Sequence, residues 1–493
     1  MSTGRGVIAA GHPETAKAGA WALGEGANAV DAAVCAVLAS FSVESPLTGL
    51  GAGGFMLVHD RGENTLIDFF VAAPGKDGTE RGAELVPVPV YFDDTPQTFN
   101  VGAASCGVPG TPAGLAHALE RFGSAPLADL VGPGVRLARE GAPVNAEQAY
   151  VFEILEAIYT GFEETRALYA PHGKMLREGE VFRFPELADA LERYGDDGPD
   201  PFYRGEIAEE LSRFVIEHGG TLGPTDLASY EAIEREPVHA GFRGTDVFTN
   251  PPPSSGGILI ALCLGLLERQ EHSGVEEVVE AMDAANRLRG EEFAAGLYED
   301  GFAERFLADN LGSTTHLSVI DGDGMCASVT CSNGTGSGIL VPGTGVHLNN
   351  MLGEEDLNPL GFHQIEPGRR VPSMMSPTVV LRDGEIVLGL GSAGSNRIRS
   401  AVLQTIIRSV EEGMGPDEAV GAPRIHYEGG TVQAEPGVDE TALERLEERG
   451  IPVVRWQRQN LYFGGTQAAA RDPQSGELSG GGDPRRGGAV VVV

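Results

Sequence analysis

The clearest chemical potential in this sequence lies in the stretch Ser313-Thr314-Thr315-His316-Leu317-Ser318-Val319-Ile320-Asp321. A threonine released as a chain terminus would hold a hydroxyl nucleophile and an α-amine base within one residue. Such an amine titrates near ~7.7–8.0, so a useful fraction of it is free base at neutral pH, which a lysine matches only when strongly perturbed. Taken alone, the doubled threonine reads more plainly as β-branched strand filler. A thiol at Cys331 is a competing nucleophile, but no partnering histidine motif accompanies it, and a small buried residue is its plainer reading.

The elements around these residues must hold them at one place. Thr315, Leu317 and Val319 alternate with His316, Ser318 and Ile320, which predicts a strand, and Gly322-Asp323-Gly324 turns it into a hairpin with Met325 to Cys331. The nucleophile strand is expected mid-sheet, with amine and hydroxyl facing one pocket. Upstream, Val7–Ala10 reads as a strand, Glu14–Leu23 as a helix, and Asn28 opens a second helix that is apolar nearly all round and therefore buried. The glycine-rich run from Thr48 to Gly54 enters a strand rather than a helix, so it is no dinucleotide fingerprint. A long helix is predicted over 145–169, two edge strands between Pro237 and Thr249, and a glycine-rich loop over Gly389–Ser395 leading to a helix from about Ile398. Helices dominate before the threonines and strands after them, with strands at both chain ends. That pattern is α+β, with helices layered on antiparallel sheet.

Composition excludes several classes. A formal net charge of −36 over 493 residues argues against sequence-independent binding of nucleic acid or anionic membrane. The five cysteines are odd in number and lack ligand spacing, so neither a disulfide framework nor a metal site is indicated, and no cofactor is expected. No apolar run reaches ~18 residues, and the N-terminus lacks the apolar core of a signal peptide, so a soluble cytoplasmic protein is expected.

Thr314-Thr315-His316-Leu317-Ser318-Val319 with Asp321 and Gly324 resembles the γ-glutamyltranspeptidase family of N-terminal-nucleophile hydrolases. So, in order, do Gly336–Ile339, Leu348-Asn349-Asn350, Ser376-Pro377-Thr378, Gly391–Ser395 and Asp483-Pro484-Arg485-Arg486-Gly487-Gly488. Asn28–Ala36, Gly51–Leu57, Gly107–Gly114 and Asn250–Gly257 extend the likeness across the chain. The resemblance implies a four-layer αββα sandwich with two central antiparallel sheets. It implies a precursor cut between Ser313 and Thr314 into a large subunit (1–313) and a small one (314–493) that stay together as one intertwined domain, with further homo-oligomerisation open. Thr314 would then attack a small-molecule amide such as a γ-glutamyl peptide, passing the acyl group to water or an amine.

The same resemblance assigns roles by position. Gly394 and Ser395 fall at the oxyanion-hole N–H pair, Ser332 at a hydroxyl that assists the nucleophile, and Asn333 at a substrate-binding asparagine. Glu354, with Glu355 as a possible substitute, falls where the α-ammonium is received, and Ser373 at the first of two serines on the α-carboxylate; a solvated charge and a turn residue are the plainer readings of the last two. Phe70 stands where the family usually carries a carboxylate-clamping arginine, and Met374 where it carries the second serine. The segment from Asp356 to Arg370 is short for a lid loop, and Arg369 or Arg370 is the candidate replacement cation. An Arg–carboxylate fork is strong and oriented where Phe offers only apolar area. Three readings therefore stand: a γ-glutamyl amidohydrolase, an acylase of the cephalosporin-acylase type with Phe70 and Met374 lining an apolar pocket, and an unprocessed pseudoenzyme that binds small amides.

Overall fold

A computed structural model describes residues 6–92, 95–289, 291–299, 302 and 315–493. Ser313 and Thr314 lie outside the described residues. Two antiparallel sheets form the centre. The first has seven strands in the order Ala489–Val492, Gly6–Ala10, Thr315–Asp321, Cys326–Ser332, Gly53–Asp60, Glu63–Phe69, Ile233–Arg235. The second has six, in the order Leu478–Gly482, Gly465–Arg471, Glu385–Ala393, Thr378–Arg382, Thr245–Thr249, Val238–Phe242. The strand that starts at Thr315 is third of seven, hydrogen-bonded on one side to the N-terminal strand and on the other to its own hairpin partner.

Strand alternation divides the apolar side chains between two cores. Ile8, Met56, Ile67, Leu317 and Val319 face the helices Pro13–Gly24 and Ala29–Val43, while Val7, Phe55, Leu57, Leu66 and Ile320 face the second sheet. That sheet is covered outside by the helices Gly256–Leu267 and Arg397–Val410. The result is the four-layer αββα sandwich that the resemblance implies. All fifteen residues of the Ala29–Val43 helix are buried, as its all-round apolar sequence requires. Asn28 and Asp31 cap it reciprocally, and the Ala29 N–H donates to Asp321 Oδ2 at 3.0 Å, tying the helix start to the hairpin turn.

Three expectations need correction. The helix predicted over 145–169 is three short ones, Ala146–Ile154, Glu156–Tyr159 and Glu163–Tyr169, because Thr160-Gly161 ends one turn and Phe162 restarts the next in extended conformation. Of the two expected edge strands, Val238–Phe242 is an edge but Thr245–Thr249 lies inside the sheet. The glycines of 389–391 belong to a nine-residue strand rather than a loop. A Cβ at Gly389 would fall 2.5 Å from Cys326 Sγ, and one at Gly391 2.4 Å from the His316 ring, so these glycines set the spacing between the sheets. A further hairpin, Val86–Phe92 with Thr95–Val101, was hidden by its prolines.

Candidate active site

The Thr315 end of the nucleophile strand is fixed by register: Thr315 pairs with Cys331, and Cys331 in turn with Gly54. Next to Cys331, Ser332 ends the partner strand, and its Oγ accepts the Gly334 N–H at 2.8 Å. Ser332 lines a cleft together with Glu354, Gly394 and Ser395. Four of the residues assigned by position thus meet at one place, brought from three separate segments.

Gly394 and Ser395 form the turn between the Glu385–Ala393 strand and the Arg397–Val410 helix. Both take positive φ, 127° and 51°, and the serine therefore sits in a region that costs a non-glycine residue free energy. Its hydroxyl compensates by donating to Asp356 Oδ2 at 2.8 Å. The two carbonyls accept from Arg397 and Ile398, while among the described residues neither N–H is given to another main-chain oxygen. A pair of adjacent, uncommitted N–H groups at a cleft is the arrangement that stabilises a developing oxyanion.

Asn333 is wholly buried, and among the described residues neither its side-chain oxygen nor its nitrogen has a partner. Its Nδ2 lies 3.2 Å from where a Cβ on Gly49 would stand, so the glycine-rich run makes room for this amide. An unpaired buried amide costs about 1–3 kcal/mol, which a bound ligand would recover. Glu354 is half-buried beside Gly334; burial first, then the neighbouring Asp356, pushes its carboxyl up to about 8. Glu355 is exposed and takes no part in this wall.

The remaining assigned positions lie elsewhere. Ser373 is buried as a turn residue: its Oγ accepts the Met375 N–H at 3.0 Å and its carbonyl accepts from Ser254 and Ser255. Phe70 is fully buried and stacked on Phe55 at 5.3 Å, and Met374 is buried in the same core. Neither lines the cleft, so the expected apolar pocket built from Phe70 and Met374 is replaced by other side chains: Leu47, Phe99, Val151, Ile154, Met351 and Leu461. The proposed replacement cations are also committed. Arg370 is buried against Asp68 and the Tyr230 ring, and Arg369 pairs with Glu366 at the surface. The cations that do reach the cleft are Arg397 and Arg486. Arg397 donates to the Tyr462 carbonyl and lies over its ring.

Sequence reasoning did not assign Asp356, Phe99, Arg397 or Arg486 to the site. Arg486 stood in a quoted motif; Phe99 lies on the hairpin that went unrecognised. Two other titratable groups are removed from the chemistry by burial. His316 bridges Ser318 and Thr330 and is held neutral, its pKa lowered to about 3. The Cys331 thiol, contacted by the Thr48 and Thr111 hydroxyls, is pushed up to about 11 and stays protonated at neutral pH.

The signature of the family described as "Gamma-glutamyltranspeptidase" matches residues 15–300 and 295–493. The chain belongs to this family. It is 32% identical to the glutathione hydrolase proenzyme of Escherichia coli (strain K12), over 98% of this chain and 90% of that protein. It is 31% identical to the acylase ACY 1 proenzyme of Pseudomonas sp. (strain SE83), over 100% of this chain and 94% of that one. The crystal structure of the cephalosporin acylase of Bacillus halodurans superposes with a TM-score of 0.85 at 28% identity, covering 99% of this chain and 95% of the other. Family membership thus spans both hydrolase and acylase relatives at nearly equal distance.

Proposed function

We propose that the chain is a self-processing threonine amidohydrolase that cleaves γ-glutamyl-type amides through a Thr314 acyl-enzyme. The observation that carries this reading is the meeting of Ser332, Glu354, Gly394 and Ser395 in one cleft at the Thr315 end of the nucleophile strand. Thr314 is covalently one residue away, about 3.8 Å between Cα atoms. In maturation the Thr314 hydroxyl attacks the Ser313 carbonyl carbon, the peptide bond becomes an ester, and water hydrolyses it to free the Thr314 amine. In turnover the same hydroxyl attacks the substrate carbonyl and the amine takes its proton. The Gly394 and Ser395 N–H groups receive the oxyanion, the protonated amine gives its proton to the leaving amine, and water or an acceptor amine releases the acyl group. Glu354, once ionised, offers its charge to the α-ammonium of a glutamyl group.

The apolar cleft wall of Leu47, Phe99, Val151, Ile154, Met351 and Leu461 favours a second reading, an acylase of the same mechanism acting on a non-glutamyl acyl group. Intact mass of the purified protein tests processing: two polypeptides with the smaller beginning at Thr314 are expected, and one uncut chain after prolonged incubation would favour the pseudoenzyme. A Thr314→Ala chain that still fragments at that bond would remove the nucleophile assignment. Turnover of a γ-glutamyl anilide against a glutaryl anilide separates the two enzyme readings.

A further inference from the structure

The Asp483-Pro484-Arg485-Arg486 turn treats two adjacent arginines in opposite ways. Arg485 is buried and bound to Glu435 and Asp483, and its guanidinium also donates to the carbonyls of Val420 and Ala422. Asp483 is buried too, pairing with Arg424 at 2.7 Å and accepting the Thr466 N–H. These pairs lock the turn; Arg486 shares with Arg485 a cavity lined by His12 and Glu44, and it alone of the two also lines the cleft of Ser332 and Gly394.

Arg486 has no ion-pair partner among the described residues, and its buried Nε has no hydrogen-bond partner. Of the acidic groups around it, Asp483 is engaged by Arg424 and Arg485, while Glu44, which accepts the Thr15 hydroxyl at 2.8 Å and is pushed up to about 7 by burial, attracts Arg486 electrostatically without forming an ion pair with it. Arg397 adds a second positive charge to the same wall. The Arg486 side chain packs over Gly465, where a Cβ would meet its Cδ at 2.2 Å, and its Nη2 lies 3.9 Å from the position of a Cβ on Gly394. A cation without an ion-pair partner among the described residues, next to the Gly394–Ser395 turn, has donors left for an anion supplied by the ligand.

We infer that Arg486 is the specificity-determining anchor for a carboxylate on the acyl side of the substrate, reaching the cleft from the Asp483–Arg486 turn where Phe70 does not. This inference rests on the amidohydrolase reading. It names a short acyl chain with a terminal carboxylate as the substrate class, a group common to glutaryl and γ-glutamyl amides.

The test pairs glutaryl p-nitroanilide with its neutral counterpart, pentanoyl p-nitroanilide, in the wild type, Arg486→Gln and Arg486→Lys. The ratio of kcat/KM for the two substrates should fall roughly 10- to 100-fold in Arg486→Gln, carried by KM, with Arg486→Lys in between. An unchanged ratio, including equal loss on both substrates, overturns the proposal. Calorimetric titration of glutarate, L-glutamate and pentanoate is independent of turnover. Glutarate should bind the wild type and weaken by a similar factor in Arg486→Gln; tighter L-glutamate binding would identify the amino-bearing source, and no such gain the plain dicarboxylate. If neither these anilides nor γ-glutamyl p-nitroanilide is turned over, the amidohydrolase reading falls, while loss or retention of glutarate binding in Arg486→Gln still decides the role of Arg486.

Discussion

Burial and the nearby Asp356 carboxylate hold Glu354 protonated well above the usual range, to about 8. A glutamyl ammonium is attracted only by the ionised form, so KM for a γ-glutamyl anilide should fall as pH rises from 6 to 8.5. A glutaryl anilide, which has no ammonium, should lack that trend, and Glu354→Gln should abolish the difference. Initial rates across this range check it. The raised value also works against stability: the native state holds the proton more tightly than the unfolded chain, so stability declines between about pH 4.5 and 8. Glu354→Gln should lessen that decline in thermal melts. At Ser395 the left-handed backbone is offset by the bond to Asp356. Ser395→Ala keeps the strain and loses the bond, and should cost about 1–2 kcal/mol in denaturant unfolding and lower kcat. Ser395→Gly relieves the strain and should be milder on stability.

At the scale of elements, sheet spacing is set by the Glu385–Ala393 strand. A methyl at Gly391 would press into the His316 ring, which Ser318 and Thr330 hold in place. Gly391→Ala should therefore cost roughly 1–3 kcal/mol or more and slow maturation, read by denaturant unfolding and by the fraction of cut chain. Gly415→Ala, with nothing within 4 Å of the added carbon, should change stability by less than about 0.5 kcal/mol. This element was misjudged in the sequence because glycine clusters resemble turns by composition. What keeps them in a strand is pairing with Thr378–Arg382 and Gly465–Arg471 and the close approach of Cys326 and His316 from the first sheet, most of it distant in sequence.

Across the whole molecule, the proposed cut would not separate two domains. The first sheet interleaves Gly6–Ala10, Gly53–Asp60 and Glu63–Phe69 with Thr315–Asp321, Cys326–Ser332 and Ala489–Val492. Fragments cut at Ser313–Thr314 should elute together on native gel filtration and part only in denaturant; separate elution would contradict the interleaving. Among the described residues the strand Ala489–Val492 pairs only with Gly6–Ala10, next to the Thr315–Asp321 strand. Deleting residues 489–493 should expose that edge and reduce both soluble yield and cleavage, measured by sedimentation and denaturing electrophoresis.

The sequence by itself determined what is local or ordered along the chain: the alternating strand at Thr315, its Asp-Gly hairpin, the buried Ala29–Val43 helix, and the relative spacing of Ser332, Glu354 and Gly394. Periodicity and turn chemistry act between near neighbours, so they can be read without a fold. Which cation faces the cleft was not legible. Arg369, Arg370, Arg397, Arg485 and Arg486 are the same residue type, and their difference is where each counter-charge lies. Asp68, Glu435 and Asp483 claim two of them through contacts that only tertiary packing creates. Phe70 likewise changed from cleft wall to core because Phe55, on the neighbouring strand, offers it a stacked partner inside the sandwich.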